Sequence, residues 1–476
     1  QLEYAVAALC IWLTTDTGKY VCSELPIHRV PMDKWDCVKT FASEARRLGH
    51  VFGRGRGELR HAFRLRKLYS LVGRTDADAD WEKEIAERVS DTTPKAAFDG
   101  SNVSTEGYQR MREFWLAQVA DAAVRSIAAK CGDVAEYVTE RWWSTPGGTT
   151  SHAAELKKRL KTVRHLDLQM RPTKPTAMES LTETDVGRIL RDVPRSIARG
   201  STKPEPGLKR RALLAVDDAT ALVAGYASQH IETATKLGGM VLRQDPVDIS
   251  EWVAFDCGPR VWRVSNDFSN FNILHSLRSL QEVDLAMARA WERVPLAFAA
   301  SKAAACRWVA RSYLNATIRT PIGNVKAKCG LWSGHRNTAR DNTILHLVYL
   351  ESIKSVMSAM FGDVFAGKQR LCGDDETVSY TDWGPAALHA FVADELGFTS
   401  QASKGLLSTH HDEFLQLMRF PGALPEYPVA HTILTFCSGN WYKDPVRDLT
   451  TTIKDVSDHV WDMVLGGVPV VTAQAL

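Results

Sequence analysis

Apolar positions recur at helical spacing through YQRMREFWLAQVADAAVRSIAAK (108–130), and residues 1 to about 140 read as mostly helical. The pattern breaks at RWWSTPGGTTSH (141–152), where Pro146, Gly147 and Gly148 interrupt it, and again at GSTKPEPGLKRR (200–211), which predicts a basic loop. Helical spacing returns over 220–237. PRVWRVSND (259–267) alternates apolar and polar positions and ends on an acid, which predicts a strand leading into a long amphipathic helix to about Trp291. The stretch 316–328 reads as a hairpin around Pro321–Gly323, 330–338 as a glycine-containing loop, and 342–360 as a helix. RLCGDDETVSY (370–380) predicts two strands joined at an acidic tip. A helix over 385–396 precedes a short strand at about 413–420. Helices come first and a small sheet with interleaved helices follows, which is an α+β pattern without internal repeats.

Composition narrows the class. The 476 residues suffice for two to four domains or subdomains, and 45% hydrophobic content with 14 Trp allows a sizeable core and argues against disorder. The net charge of +3 does not by itself select a nucleic-acid binder. Local charge says more. From Glu155 to Arg211 there are fifteen Lys/Arg against seven Asp/Glu, an excess of eight cations. A second basic run, Arg46 to Lys67, includes Arg54, Arg56, Arg60, Arg64 and Arg66. Such runs are either solvated helix faces or the walls of a phosphate channel.

Nine cysteines without a CxxC pair fit reduced thiols and give no zinc-ligand spacing. No uninterrupted apolar run of about 18 residues is present, so no membrane partner is expected. The opening QLEYAVAALCIWL lacks a basic flank, contains Glu3 and starts with Gln. It reads as a helix from a larger core and the chain as part of a longer one.

The candidate chemistry lies in the acids. Asp374 and Asp375 sit side by side at a hairpin tip, where like charges repel. An Asp in a turn often does no more than accept backbone N–H bonds. A partner changes the picture, because Asp267 ends a second alternating strand. If the two strands pair, Asp267 and Asp374 lie together at one end of the sheet. Clustered carboxylates need a counter-charge, and magnesium, with manganese as the alternative, is a hard cation that suits oxygen ligands. Two such ions about 3.5–4 Å apart are the clamp used for phosphoryl displacement.

Between the strands lies WSGHRNTARDN (332–342). Ser333 and Gly334 form a flexible start, and Thr338 and Asn342 fall on one helical face. Asn342 could offer its amide to a ribose hydroxyl; the plainer reading is a Ser N-cap followed by ordinary polar residues. In STKPEPGLKRRA (201–212), Lys203, Lys209 and Arg211 could hold a triphosphate or stay solvated.

In this order the four pieces resemble the RNA-directed RNA polymerases of double-stranded RNA viruses, most closely totivirus-like viruses of fungi and protozoa. STKPEPGLKRRA resembles the basic finger motif, DFSNFN the first palm motif, SGHRNTARDN the second and GDD the third; the likeness covers about residues 140 to 442. It implies a right-hand fold of fingers, palm and thumb, with a small antiparallel palm sheet flanked by helices. It also implies template-directed nucleotidyl transfer.

By the same resemblance, Asp267 and Asp374 would bind two magnesium ions with Asp375 assisting. Lys203, Lys209 and Arg211 would grip the incoming triphosphate. Asn272, Ser333, Gly334, Thr338 and Asn342 would handle ribose selection and the template–primer backbone. Lys404 would protonate pyrophosphate, HHDEFLQLMRF (410–420) would be a primer-gripping hairpin, and Ser144, Pro146 and Gly147 would line template entry. The expected division is an N-terminal helical region over 1–140, fingers over 141–258, palm over 259–425 with a fingers insertion around 285–325, and a partial thumb over 426–476.

Expected partners are template and nascent RNA, nucleoside triphosphates and a viral capsid protein, in the host cytoplasm within the virion. The sequence departs from the commonest pattern at Asn272, where many RNA polymerases carry a second Asp, and at Cys372 before GDD. The rival readings are an inactive palm-fold module that binds RNA or capsid, and a reverse transcriptase. The latter family lacks the SG-xxx-T-xxx-N helix and has an aromatic-x-Asp-Asp third motif.

Overall fold

A computed structural model describes residues 2–19, 67–75, 77–90, 103–144, 150–152, 173–179, 181–234, 237–243, 246–254, 261–401, 405–419, 425–438 and 449–475. The helices that frame the site are α1 (Leu2–Leu13), α2 (Trp81–Val89), α3 (Thr105–Ile127), α4 (Asp218–Ala227), α5 (Pro246–Ala254), α6 (Leu277–Glu292), α7 (Ala299–Ser312), α8 (Thr338–Phe361), α9 (Trp383–Glu395), α10 (Val429–Ser438) and α11 (Leu449–Leu465). Ten strands accompany them among the described residues: β1 (Ser196–Glu205), β2 (Lys209–Val216), β3 (Trp262–Asp267), β4 (Ala316–Thr320), β5 (Gly323–Lys326), β6 (Phe365–Cys372), β7 (Asp375–Tyr380), β8 (Leu406–Ser408), β9 (Asp412–Phe414) and β10 (Leu417–Arg419).

Two four-stranded sheets organise the chain. The acidic sheet runs β6-β7-β3-β8 and is antiparallel throughout. The basic sheet runs β2-β1-β4-β5, and its β1–β4 pair is parallel. One continuous core joins α3, α4, α6, α7, α8 and α9 beneath the acidic sheet, with Trp291, Tyr226, Tyr349 and Tyr380 among its largest buried side chains. α8 is long and apolar enough to span a bilayer by length and composition. Here its flanks are core: Ile344, Leu345, Leu347, Val348, Leu350 and Ile353 are all buried. Arg340, Asp341 and His346 break its apolar run, which is why no such helix was expected from the sequence.

Capping explains several starts. Ser104, Asp217 and Ser276 precede α3, α4 and α6, and each side chain accepts a backbone N–H three residues on.

Three expectations need correction. The basic segment 200–211 is not a loop but a hairpin, β1–β2, turning over residues 206–208. Pro204 is tolerated in β1 because β1 pairs with β4 only over Ser196–Arg199, and β2 alone flanks it at Pro204. The helix expected over 220–237 stops at Ala227, and His230, with φ of 60°, takes the left-handed turn that ends it. The strand expected at 413–420 is a hairpin, β9–β10, turning on Leu415 and Gln416 with φ of 52° and 64°. Such a turn ordinarily announces itself by Asn-Gly, which is absent here; only the resemblance of 410–420 to a primer-gripping hairpin implied this shape. β8 was not foreseen; it extends the acidic sheet on the far side of β3.

The opening helix has packing partners within the described chain. Ala5, Ala8, Leu9 and Trp12 of α1 pack with Leu68, Leu71 and Val72 against Val429, Ala430 and Ile433 of α10 and Met463 of α11. The two ends of the described chain therefore share one core. The tip of the β1–β2 hairpin reaches it: Leu208 packs on this cluster and donates its N–H to Gly73, and Arg74 donates to Pro204 O at 2.9 Å and to Ser438 Oγ at 3.4 Å.

Candidate active site

The acidic sheet brings the separated acids together. β3 and β7 pair antiparallel with Asp267 opposite Asp375, and Cys372 closes the other side of Asp375. The β6–β7 connection is two residues long. Gly373 occupies its first position with φ of 63°, where a side chain would be strained, as a tight hairpin of this hand requires. Asp374 follows at the tip and is open to solvent.

The electrostatics record the crowding. Asp375 is pushed up to about 7, first by burial and then by Asp374, Glu413 and Asp267, with Lys67 pulling it back. Asp374 is also raised, first by burial within its surroundings and then by Asp267, while His346 and Arg211 pull it down. Glu413 on β9 is thus a fourth carboxylate of the site, and Lys67 a cation of it. Neither was picked out as a site residue, although Lys67 ends the basic run seen in the sequence.

α8 holds the turn from behind. Thr343 Oγ1 accepts Gly373 N–H at 2.8 Å, and His346 Nδ1 donates to Gly373 O at 2.9 Å. His346 Nε2 lies 3.0 Å from Glu376 Oε2, and His389 Nε2 lies 2.7 Å from Glu376 Oε1, with Tyr380 Oη 2.6 Å from His389 Nδ1. Burial opposes ionisation of Glu376, yet His389 and His346 hold its carboxyl far below the usual range. A carbonyl and a carboxylate face the two nitrogens of His346, so the ring bridges the Gly373 turn to Glu376. Phe268 and Phe271 pack against that ring with centroids at 5.1 Å. A buried imidazole thus sits directly behind the acidic turn. Thr338, Asn342 and His346 recur every four residues along one face of α8, a signal that could have found His346.

Asn342 and Asn272 meet. Asn342 Nδ2 donates to Asn272 Oδ1 at 2.8 Å, and Asn342 Oδ1 lies 2.7 Å from His275 Nε2. Ser333 and Gly334 dock on β2: Leu214 N–H donates to Ser333 Oγ at 3.3 Å, and Gly334 N–H donates to Leu214 O at 3.0 Å. A Cβ on Gly334 would stand 2.7 Å from Leu214 O and 2.8 Å from Ala215 Cα, so only glycine permits this approach. Thr338 Oγ1 sits 2.8 Å from Trp332 O and 2.7 Å from His335 O; its hydroxyl closes the 332–338 loop and does not face the cleft as a free donor.

The basic hairpin presents its cations on one face. Lys203 pairs in register with Arg211, and Glu205 with Lys209, so these four alternate positions share a side. Glu205 lies 3.5 Å from both Lys203 Nζ and Arg211 Nε, and Lys209 Nζ lies 5.1 Å from the Tyr69 ring centroid. Arg210 points the other way, donating to Asp78 O at 3.1 Å. Arg211 acts on Asp374, which places this face toward the acids. Lys404, Pro146, Gly147, the run Arg54–Arg66 and the side chain of Ser144 lie outside the described residues.

The donor set of Asp267, Asp374 and Asp375 is all oxygen and overcharged, which suits a hard divalent cation. Among the described residues, no three acidic, His or Cys side chains converge tightly enough to hold an ion as they stand. The fit is therefore one of charge and ligand chemistry.

A family model described as viral RNA-directed RNA-polymerase matches residues 28–443. Among solved structures, the chain is similar to the RNA-dependent RNA polymerase of BmCPV at its elongation state, with a TM-score of 0.56 and 13% identity over 86% of this chain and 36% of that one. A structure described as an RdRp complex matches with a TM-score of 0.55 and 14% identity over 80% of this chain and 34% of that one. The polymerase of a human picobirnavirus aligns with 12% identity over 82% of this chain and 84% of that one, at a TM-score of 0.44. The chain spans about a third of the length of the first two structures, whose likeness is one of fold. No curated protein matches the chain in sequence.

Proposed function

Since the chain belongs to the viral RNA-directed RNA-polymerase family, we propose that it is the nucleotidyl-transferring core of an enzyme that copies RNA on an RNA template. The observation that carries this reading is the pairing of Asp267 with Asp375 beside Asp374, with Arg211 reaching the same acids from the basic hairpin.

Each group has a role in the reading. Asp267, Asp374 and Asp375 hold magnesium or manganese at the end of the acidic sheet. When bound, two such ions supply the Lewis acidity that activates the primer 3′-hydroxyl and offsets charge on the leaving pyrophosphate. Lys203, Lys209 and Arg211 bind the triphosphate, and Arg211 gives bidentate contact that an ammonium does not. Glu205 holds two of these cations until a triphosphate replaces it. Asn272, in contact with Asn342, binds the ribose, while Ser333 and Gly334 line the strand path. Thr338 keeps that loop closed. Lys404 is the proton donor to pyrophosphate. The turn is kept in place by Thr343 and His346.

The division into an N-terminal helical region, fingers, palm and thumb at about 140, 258 and 425 belongs to the same reading, with α1 and residues 68–74 closing onto the thumb side. The genome copied is double-stranded RNA, and the polymerase works inside the virion beside a capsid protein. BmCPV polymerase, one of the similar structures, is described in situ.

The test is template-dependent incorporation of ribonucleotides by the purified chain with magnesium or manganese. Asp374→Asn should lower incorporation by about 10³-fold, the loss of ~4 kcal/mol of charge stabilisation, with RNA binding little changed. Incorporation by Asp374→Asn at the wild-type rate would sink the assignment. RNA binding without incorporation by the wild type would favour the inert module.

A further inference from the structure

Behind the Asn272–Asn342 contact lies a buried hydrogen-bonded relay. His275 and Tyr349 are both buried in the core, and Tyr349 stacks on Phe398 with centroids at 4.2 Å. His275 Nδ1 lies 2.6 Å from Tyr349 Oη, and His275 Nε2 lies 2.7 Å from Asn342 Oδ1. The Tyr349 ring lies in turn 6.3 Å, centroid to centroid, from that of Tyr108 on α3.

Burial lowers His275 to about 3, so the ring is neutral and has one donor and one acceptor. With Asn342 Oδ1 turned to Nε2, Nε2 carries the proton and Nδ1 accepts from the Tyr349 hydroxyl. The remaining end of Asn342, Nδ2, then donates to Asn272 Oδ1 at 2.8 Å. Asn272 then has its side-chain acceptor used, which leaves its amide N–H groups as what it can offer. Reversing the proton on His275 would flip Asn342, and Asn272 would offer an acceptor instead.

We infer that His275 is a positioning residue that fixes the polarity of the Asn342–Asn272 amide pair, so that an Asn272 N–H meets the 2′-hydroxyl of an incoming ribonucleotide. The inference rests on the polymerase reading and deepens it. A deoxyribonucleotide leaves that N–H unpaired, which is how a hydrogen-bonding site rejects the analogue lacking the hydroxyl. Tyr349 acts one step further back, by making Nδ1 the acceptor.

The test compares kcat/KM for ribonucleoside and 2′-deoxyribonucleoside triphosphates on an RNA template, in the full chain and in His275→Phe and Tyr349→Phe. The ribo-to-deoxy ratio should fall about tenfold in His275→Phe and several-fold in Tyr349→Phe, with kcat for ribonucleotides less affected than discrimination. Tyr349→Phe removes a single oxygen and covers the case in which His275→Phe does not fold. Nitrogen-15 NMR of the wild type should show His275 protonated at Nε2. A merely structural relay would lower both substrates equally; an unchanged ratio in a folded, active variant, or an Nδ1-protonated ring, overturns the inference. A wild-type chain that adds neither nucleotide overturns the polymerase reading, and this inference with it.

Discussion

Asp267 stands directly opposite Asp375 in the β3–β7 register, and its charge is one of those that push Asp375 up to about 7. Because the folded state binds this proton more tightly than the unfolded chain, stability falls as pH rises from about 4 through about 7. A divalent cation reverses that trend by taking the proton's place. Magnesium should therefore raise the melting temperature little at pH 5.5 and increasingly up to pH 8. Asp375→Asn should be more stable than wild type at pH 8 without metal and should lose most of the magnesium shift. Differential scanning fluorimetry with and without magnesium across that range checks both. A magnesium shift independent of pH would separate the ion from these acids.

Glu205 lies within 3.5 Å of both Lys203 and Arg211 on the exposed face of the basic hairpin. Both cations are more than half exposed, so the pairs themselves add little to stability. Their effect belongs on triphosphate binding. Arg211→Ala should raise the KM for nucleotides about tenfold or more, the loss of a charge-assisted contact of ~1.5–3 kcal/mol, and leave the melting temperature within a degree or two. Glu205→Gln should lower KM modestly by freeing the cations. Steady-state kinetics at two salt concentrations read both, and the Arg211 effect should shrink at high salt. An unaltered KM in Arg211→Ala would take the hairpin out of nucleotide binding.

Gly334 carries no left-handed backbone, yet a methyl group there meets Leu214 O at 2.7 Å and Ala215 Cα at 2.8 Å. Both atoms are strand backbone and cannot swing aside. Gly334→Ala should undock the 332–338 loop from β2, at a cost of ~1–3 kcal/mol, and should reduce RNA extension by more than the stability loss alone explains. Urea melts give the first quantity and extension assays the second. Ser333→Ala, which removes one acceptor for Leu214 N–H, should cost less than Gly334→Ala.

The sequence disclosed the acids, the SG loop and the cations because each departs from what a strand, turn or helix ordinarily holds. Adjacent Asp residues at a tip and a glycine beside a serine before a long helix are such departures. Period-two alternation also gave β3 and β7, and hence the possibility that Asp267 meets the acidic tip; Asp374 was the expected neighbour, and the register puts Asp375 opposite it. What stayed hidden depends on distant packing. His275, Tyr349, Glu376 and His389 look like ordinary polar residues in buried elements until the helices and sheet that carry them are superposed. Glu413 joins the site only because β9 packs against β3 and β7, with Glu413 N–H donating to Ser265 Oγ at 3.0 Å. The hairpin of 196–216 was misread because proline and glycine weigh heavily in a short window, while the β1–β4 pairing that fixes it is more than a hundred residues away.

Asp375 and Glu376 are neighbours that titrate in opposite directions, because alternate residues of β7 face opposite sides. Asp375 meets other acids in the cleft. Glu376 meets His346 and His389 inside, and their charge and hydrogen bonds hold it ionised against burial. Its contribution to stability is therefore fully present above about pH 4.5 and is lost as pH falls toward its depressed folded value, the reverse of Asp375. Glu376→Gln keeps the shape but takes the anion away from His389 and His346. Removing one member of a buried pair costs ~3–5 kcal/mol, and the glutamine amide can recover part of it, so a loss of about 3 kcal/mol is expected at pH 7. The difference from wild type should narrow below pH 4.5. Because His346 also holds Gly373 O, the variant should need more magnesium for half-maximal extension than wild type. Chemical denaturation at pH 7 and pH 4 gives the stability gap, and a magnesium titration of extension gives the link to the acidic turn. A gap equal at both pH values would mean that Glu376 is not the ionised partner of His346.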